Sequence, residues 1–101
     1  MLDEQFDALT HPLRRRLLVR LLEHNPQKGD VNPPSLHEGD QQFQDLQTEM
    51  FHTHLPKLEE AGFIVWHQDT NKVEKGPRFE EIRPLLELID AHADELPADW
   101  P

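Results

Sequence analysis

FHTHLPKLEEAGFIVW, residues 51–66, changes its hydrophobic period at a single position. Leu55, Leu58 and Ala61 recur at helical spacing. Gly62 then supplies the residue best able to take the left-handed conformation that closes a helix. Phe63, Ile64, Val65 and Trp66 follow as a short apolar run of strand composition. The stretch predicts a helix stopped by glycine and continued directly as a strand.

Working outward toward the C-terminus, residues 67–71 are rich in turn formers, and residues 72–75 can return as a second strand. That makes a small hairpin, ended by Gly76 and Pro77. Phe79, Ile82, Leu86, Ile89, Ala93 and Leu96 then repeat at alternating spacings of 3 and 4, which predicts a helix over 78–96. Pro84 either kinks that helix or starts it. The stripe can pack on the domain itself or on a second copy of the same helix. Residues 97–101 read as a non-helical tail, with Trp100 either docked or in solvent.

Toward the N-terminus, helical periodicity extends back through Met50 and Leu46 to Phe43, with Pro56 marking a bend or a fresh start. Residues 25–41 are punctuated by Pro26, Gly29, Pro33, Pro34 and Gly39, and read as one long loop of roughly fifteen residues. Leu13, Leu17, Leu18, Leu21 and Leu22 give the second helix a broad apolar face, with Thr10 its expected N-cap and Pro12 in its first turn. Arg14 falls within that apolar arc. Leu2, Phe6 and Leu9 define a short first helix. The fold class is mainly α with a small β-hairpin, in one domain spanning 1–101.

Composition narrows the function classes. The 101 residues contain no cysteine, so disulfides, thiol nucleophiles and zinc–thiolate sites are excluded. No apolar run reaches the ~18 residues of a membrane span, and the first residues carry acids rather than a basic leader, so a cytoplasmic protein is expected. Twenty acids stand against ten bases, and only four of the bases are lysine. A cationic partner would explain this, as would adaptation to high cytoplasmic salt. A net charge of −10 repels nucleic acid in dilute buffer. At molar salt the Debye length falls to about 3 Å, and local contacts then outweigh global charge.

The pattern His-Leu-x-x-Leu-x-x-Ala-Gly-x-Ile over residues 54–64 resembles the ArsR-type group of transcriptional regulators. With LTHPLRRR at 9–16, HTHLPKLEEAG at 52–62 and GPRFEEIRPLL at 76–86, the chain is similar to small winged-helix regulators of halophilic archaea. The resemblance implies a winged helix-turn-helix that binds double-stranded DNA as a homodimer. Thr48, His52, Thr53 and Lys57 would face the major groove, and Lys72, Lys75 and Arg78 would contact backbone from the wing. Phe79, Ile82, Leu86, Ile89 and Ala93 would form the dimer interface, with Leu2, Phe6 and Leu9 as further contributors. The chain departs from the pattern at 25–41, where the first helix of the tandem should lie. Either a short helix forms around 35–40 or the helix-turn-helix is degenerate. In the second case the alternative function is a protein-interaction module that has lost DNA binding.

Other chemistry is weaker. The outer helix face also carries Asp45, Glu49, Glu59 and Glu60, so a plain solvated acidic face competes with base reading. His54 lies on the apolar side and reads as a hydrogen-bonded core histidine, whereas His52 is exposed. Residues two apart on a helix diverge by about 200° and cannot share an ion. Asp90, His92 and Glu95 amount to half of a sensor metal site, without the further histidine that such a site needs. With no GxSxG, P-loop or HExxH, no catalytic residue, metal, cofactor or small-molecule effector is assigned.

Overall fold

The computed structural model describes residues 2–29 and 41–101. The segment around 35–40, where the open question of a short helix falls, lies outside them. In order, the chain forms α1 (Leu2–Leu9), α2 (Pro12–Glu23), β1 (Gln27–Lys28), α3 (Gln41–Glu49), a π-helical turn (Met50–His54), α4 (Leu55–Glu60), β2 (Ile64–His67), β3 (Lys72–Lys75), α5 (Phe79–Ala91) and a 3₁₀ turn (Ala93–Glu95). It is mainly helical with one small antiparallel sheet, an arrangement compatible with a winged-helix-like fold.

The glycine punctuation at 62 is realised in full. Gly62 takes φ +85°, its N–H bonds the Glu59 carbonyl, and the Phe63 N–H bonds the Leu58 carbonyl. Those two bonds make a Schellman motif, and Leu58 and Phe63, both buried, supply its apolar contact. The chain thus leaves α4 aimed directly into β2.

Expectations for the sheet and for one helix cap change. The hairpin is part of a three-stranded sheet of order β1-β3-β2, because residues 27 and 28, expected in the loop, pair with Val73 and Lys72. Two polar residues carry no periodic signal, and only their partner strand makes them β. The N-cap of α2 is His11 rather than Thr10. Pro12 occupies the first helical position, so the cap falls one residue later than expected. The Thr10 hydroxyl instead donates to the Asp7 carbonyl.

Pro56 cannot donate to the His52 carbonyl, and its ring crowds that turn. The helix accommodates it without breaking: Met50–His54 widens into a π turn in which the Leu55 N–H bonds the Met50 carbonyl. Pro84 is carried inside α5, which starts at Phe79 and ends at Ala91, short of the expected 78–96. Trp100 is docked, its indole N–H 3.3 Å from Asp90 Oδ1.

The core lies where α2, α4, the inner face of the sheet and α5 meet. Leu17, Leu18, Leu21, Leu55, Phe63, Val73, Phe79, Ile82 and Leu86 are wholly excluded from solvent there. Phe79, Ile82 and Leu86 therefore serve the protomer's own core, while Ile89 is half-buried and Ala93 is exposed beyond the end of α5. Among the described residues, the large apolar side chains left outside are Leu2, Phe6 and Leu88. No helix of the described residues is long and apolar enough to cross a membrane.

Candidate nucleic-acid interface

Thr48, His52, Thr53 and Lys57 all lie exposed on the α3–π–α4 rod. The first three share its outer side. Lys57 is turned toward α1, where its ammonium meets Asp7 at 3.1 Å. Beside the rod a cleft of about 640 Å³ opens toward the hairpin, lined by Phe51, His52, Pro56, Trp66, Gln68 and Asn71. Phe51 and Trp66 stack with ring centroids 5.6 Å apart. The Trp66 indole N–H donates to Asn71 Oδ1, and its backbone N–H to Glu59 Oε2. The Glu59 bond and the Phe51 stack fix the hairpin against the rod, and the Asn71 bond braces the hairpin's own turn.

The three wing residues named from sequence do not share a surface. Alternation along β3 puts Lys72 on the outer face, while Lys75 falls on the same side as buried Val73. The Lys75 ammonium lies 5.2 Å from the centre of the Phe79 ring. Arg78 is tied down: its guanidinium holds Glu81 and Glu4, donates to the Ala61 carbonyl, and sits over Phe63. These contacts raise its pKa above the ordinary value, Glu81 contributing most. Glu4 and Glu81 are held below the usual carboxylate range by the same guanidinium. Arg78 thus clamps α1 to the start of α5.

Beneath the rod the fold assembles a cluster that sequence spacing could not show. His54, 3% exposed, projects from the π turn and places Nε2 2.6 Å from Glu49 Oε2. His11 Nε2 reaches the same oxygen at 3.0 Å, and the two imidazoles lie 4.0 Å apart. The opposite ring nitrogens fix the proton positions. His11 Nδ1 accepts from the Leu13 N–H, and His54 Nδ1 faces Arg14 Nη1 at 3.0 Å. A guanidinium only donates, so both Nδ1 atoms are acceptors and both neutral rings carry their proton on Nε2. Arg14, itself buried, also donates to the Asp7 carbonyl and the Thr10 hydroxyl.

His11, Glu49 and His54 bring three ligand-type atoms within 4.8 Å of one another, close enough for one ion. The surroundings do not suit a metal. A histidine bound through Nε2 presents Nδ1–H to an acceptor. Here both Nδ1 atoms meet donors, one of them a permanent cation. The cluster is a closed hydrogen-bond latch between the N-terminus of α2 and the rod. Its electrostatics agree: burial, then the second imidazole, lowers the His11 pKa, and the bond from His54 lowers that of Glu49. His92 pairs with Glu95 at 2.5 Å while Asp90 bonds Trp100, so those three do not converge.

Residues 27–74 match a family described as a domain of unknown function (DUF7344). That span holds β1, the rod and most of the hairpin, and excludes His11, Arg14 and α5. No curated protein and no solved structure matches the chain.

Proposed function

We propose that this protein is a winged-helix, DNA-binding transcriptional regulator that acts as a homodimer. One observation carries the reading: a helical rod with Thr48, His52 and Thr53 on its outer side stops at a Schellman motif and runs straight into a hairpin braced beside it. A helix so placed fits the major groove, with the hairpin reaching the adjacent backbone. In this reading the second copy meets the exposed Leu2, Phe6 and Leu88, since the deeper α5 stripe is consumed inside the protomer.

The test is binding of a fluorescent duplex from the gene's own upstream region in molar potassium chloride, against unrelated competitor. High salt suppresses the nonspecific phosphate contribution, so selective binding that survives comes from base or shape readout. Absence of selectivity across a genomic fragment pool would overturn the proposal.

A second reading is a protein-interaction module on the same core. It is favoured by Lys57 and Arg78, whose charges are spent on Asp7, Glu4 and Glu81 instead of facing outward. A monomer that binds no DNA and co-purifies with another protein would select it.

A further inference from the structure

Most of the ten basic residues have found partners within the fold. Arg14 holds His54, Arg15 lies near Asp99, and Arg16 donates to the Pro101 carbonyl. Lys57, Arg78 and Arg83 pair with carboxylates, and Lys75 covers Phe79. Lys28 and Lys72 differ. Both are exposed, and among the described residues neither ammonium has a carboxylate partner.

The sheet register puts these two together. Lys28 of β1 stands directly opposite Lys72 of β3, with His67 of β2 on the other side of Lys72. This is the last row before the turn at 68–71, so it forms the tip of the sheet. The adjoining residues are fastened by the Gly29 N–H bonding the Asn71 carbonyl. Asn71 and Trp66 line the cleft beside the rod, whereas the alternation of the strands turns Lys28, Lys72 and His67 to the other face of the sheet tip. Glu74, the nearby acid on the same face, is engaged by His67 at 3.0 Å. Like charges directly opposite one another destabilise a sheet. In a chain with twenty acids and ten bases, an opposed pair of lysines with no carboxylate partner among the described residues is the arrangement that composition least favours.

We infer that Lys28 and Lys72 form a two-lysine clamp for the phosphate backbone of duplex DNA, with half of it supplied by β1 rather than by the hairpin. The inference rests on the DNA-binding reading above. Long, flexible stems let two ammoniums from adjacent strands converge on one phosphate or span two neighbours. The clamp positions the rod in the groove and carries no sequence information itself.

The experiment is a salt titration of duplex binding by the full chain, comparing wild type with Lys28→Ala, Lys72→Ala and Lys75→Ala. Each clamp variant is expected to make the slope of log K against log salt shallower by about 0.9, the loss of one neutralised phosphate. Lys75→Ala, on the opposite face, should leave the slope unchanged. Lys28→Glu provides a second signature: a carboxylate opposite Lys72 should raise the thermal midpoint of the free protein while weakening its DNA affinity. If wild type binds duplex and Lys28→Ala keeps the full slope, the clamp is overturned and the regulator reading stands. If wild type binds no duplex, both fall.

Discussion

At the scale of single residues, the least obvious finding is that hydrogen-bond direction decides what a His–Glu–His cluster can be. Distances alone would admit an ion between His11, Glu49 and His54. The donors behind each ring make both imidazoles neutral donors to one carboxylate oxygen. Protonating His11 would put an Nδ1–H against the Leu13 N–H and cost α2 its cap. Burial, then the neighbouring His54, holds the folded-state pKa of His11 below the ordinary 6.5. A depressed histidine pKa means the folded state binds the proton less readily than the unfolded chain. The stabilisation is therefore complete above the unfolded value and is lost as pH falls through the folded one. Denaturant midpoints should drop as pH is lowered from about 7 toward 5. His11→Asn, which keeps a capping oxygen but cannot titrate, should flatten that dependence; an unchanged pH profile would show that the latch does not govern it.

The elements show how local signals and partners divide the work. The junction of α4 and β2 is written locally, because a left-handed residue is required and only glycine takes it cheaply. Gly62→Ala should cost about 1–2 kcal/mol from backbone strain alone. The added Cβ would also sit 2.9 Å from Arg78 Cδ, so urea denaturation should show at least that loss. The π turn is half-legible: Pro56 announces a disruption, but whether the helix breaks, kinks or widens depends on what holds the residues before it. Here His54 is anchored to Arg14 and Glu49, and the widened turn keeps the rod continuous. β1 is wholly a matter of partners.

At the scale of the molecule, surplus acid is distributed over the surface while the cations are used as fasteners, α1 to α4 through Lys57 and α1 to α5 through Arg78. The apolar stripe of α5 is divided between two duties. Leu86 is wholly buried, so Leu86→Ala should cost about 2–5 kcal/mol in protomer stability by opening a cavity. Leu88 is 63% exposed, and Leu88→Glu should leave that stability nearly unchanged. If α5 meets a second copy, Leu88→Glu should also shift the protein from dimer to monomer in sedimentation velocity. A dimer that survives Leu88→Glu with Phe6→Glu would place the contact elsewhere.

The sequence by itself determined the helix–glycine–strand junction, the mainly helical class, the apolar faces of α2 and α5, and the inward direction of His54. Each depends on spacing within one segment, and periodicity reports spacing directly. Only the tertiary structure decided which apolar positions of α5 remain outside, what stands opposite Lys72 in the sheet, and which residues gather around Glu49. His11 and His54 are far apart in the chain, as are Lys28 and Lys72. Their meetings depend on how α2 crosses the rod and on the register of β1 against β3. No local pattern encodes those relations, because they are set by the packing of distant apolar faces.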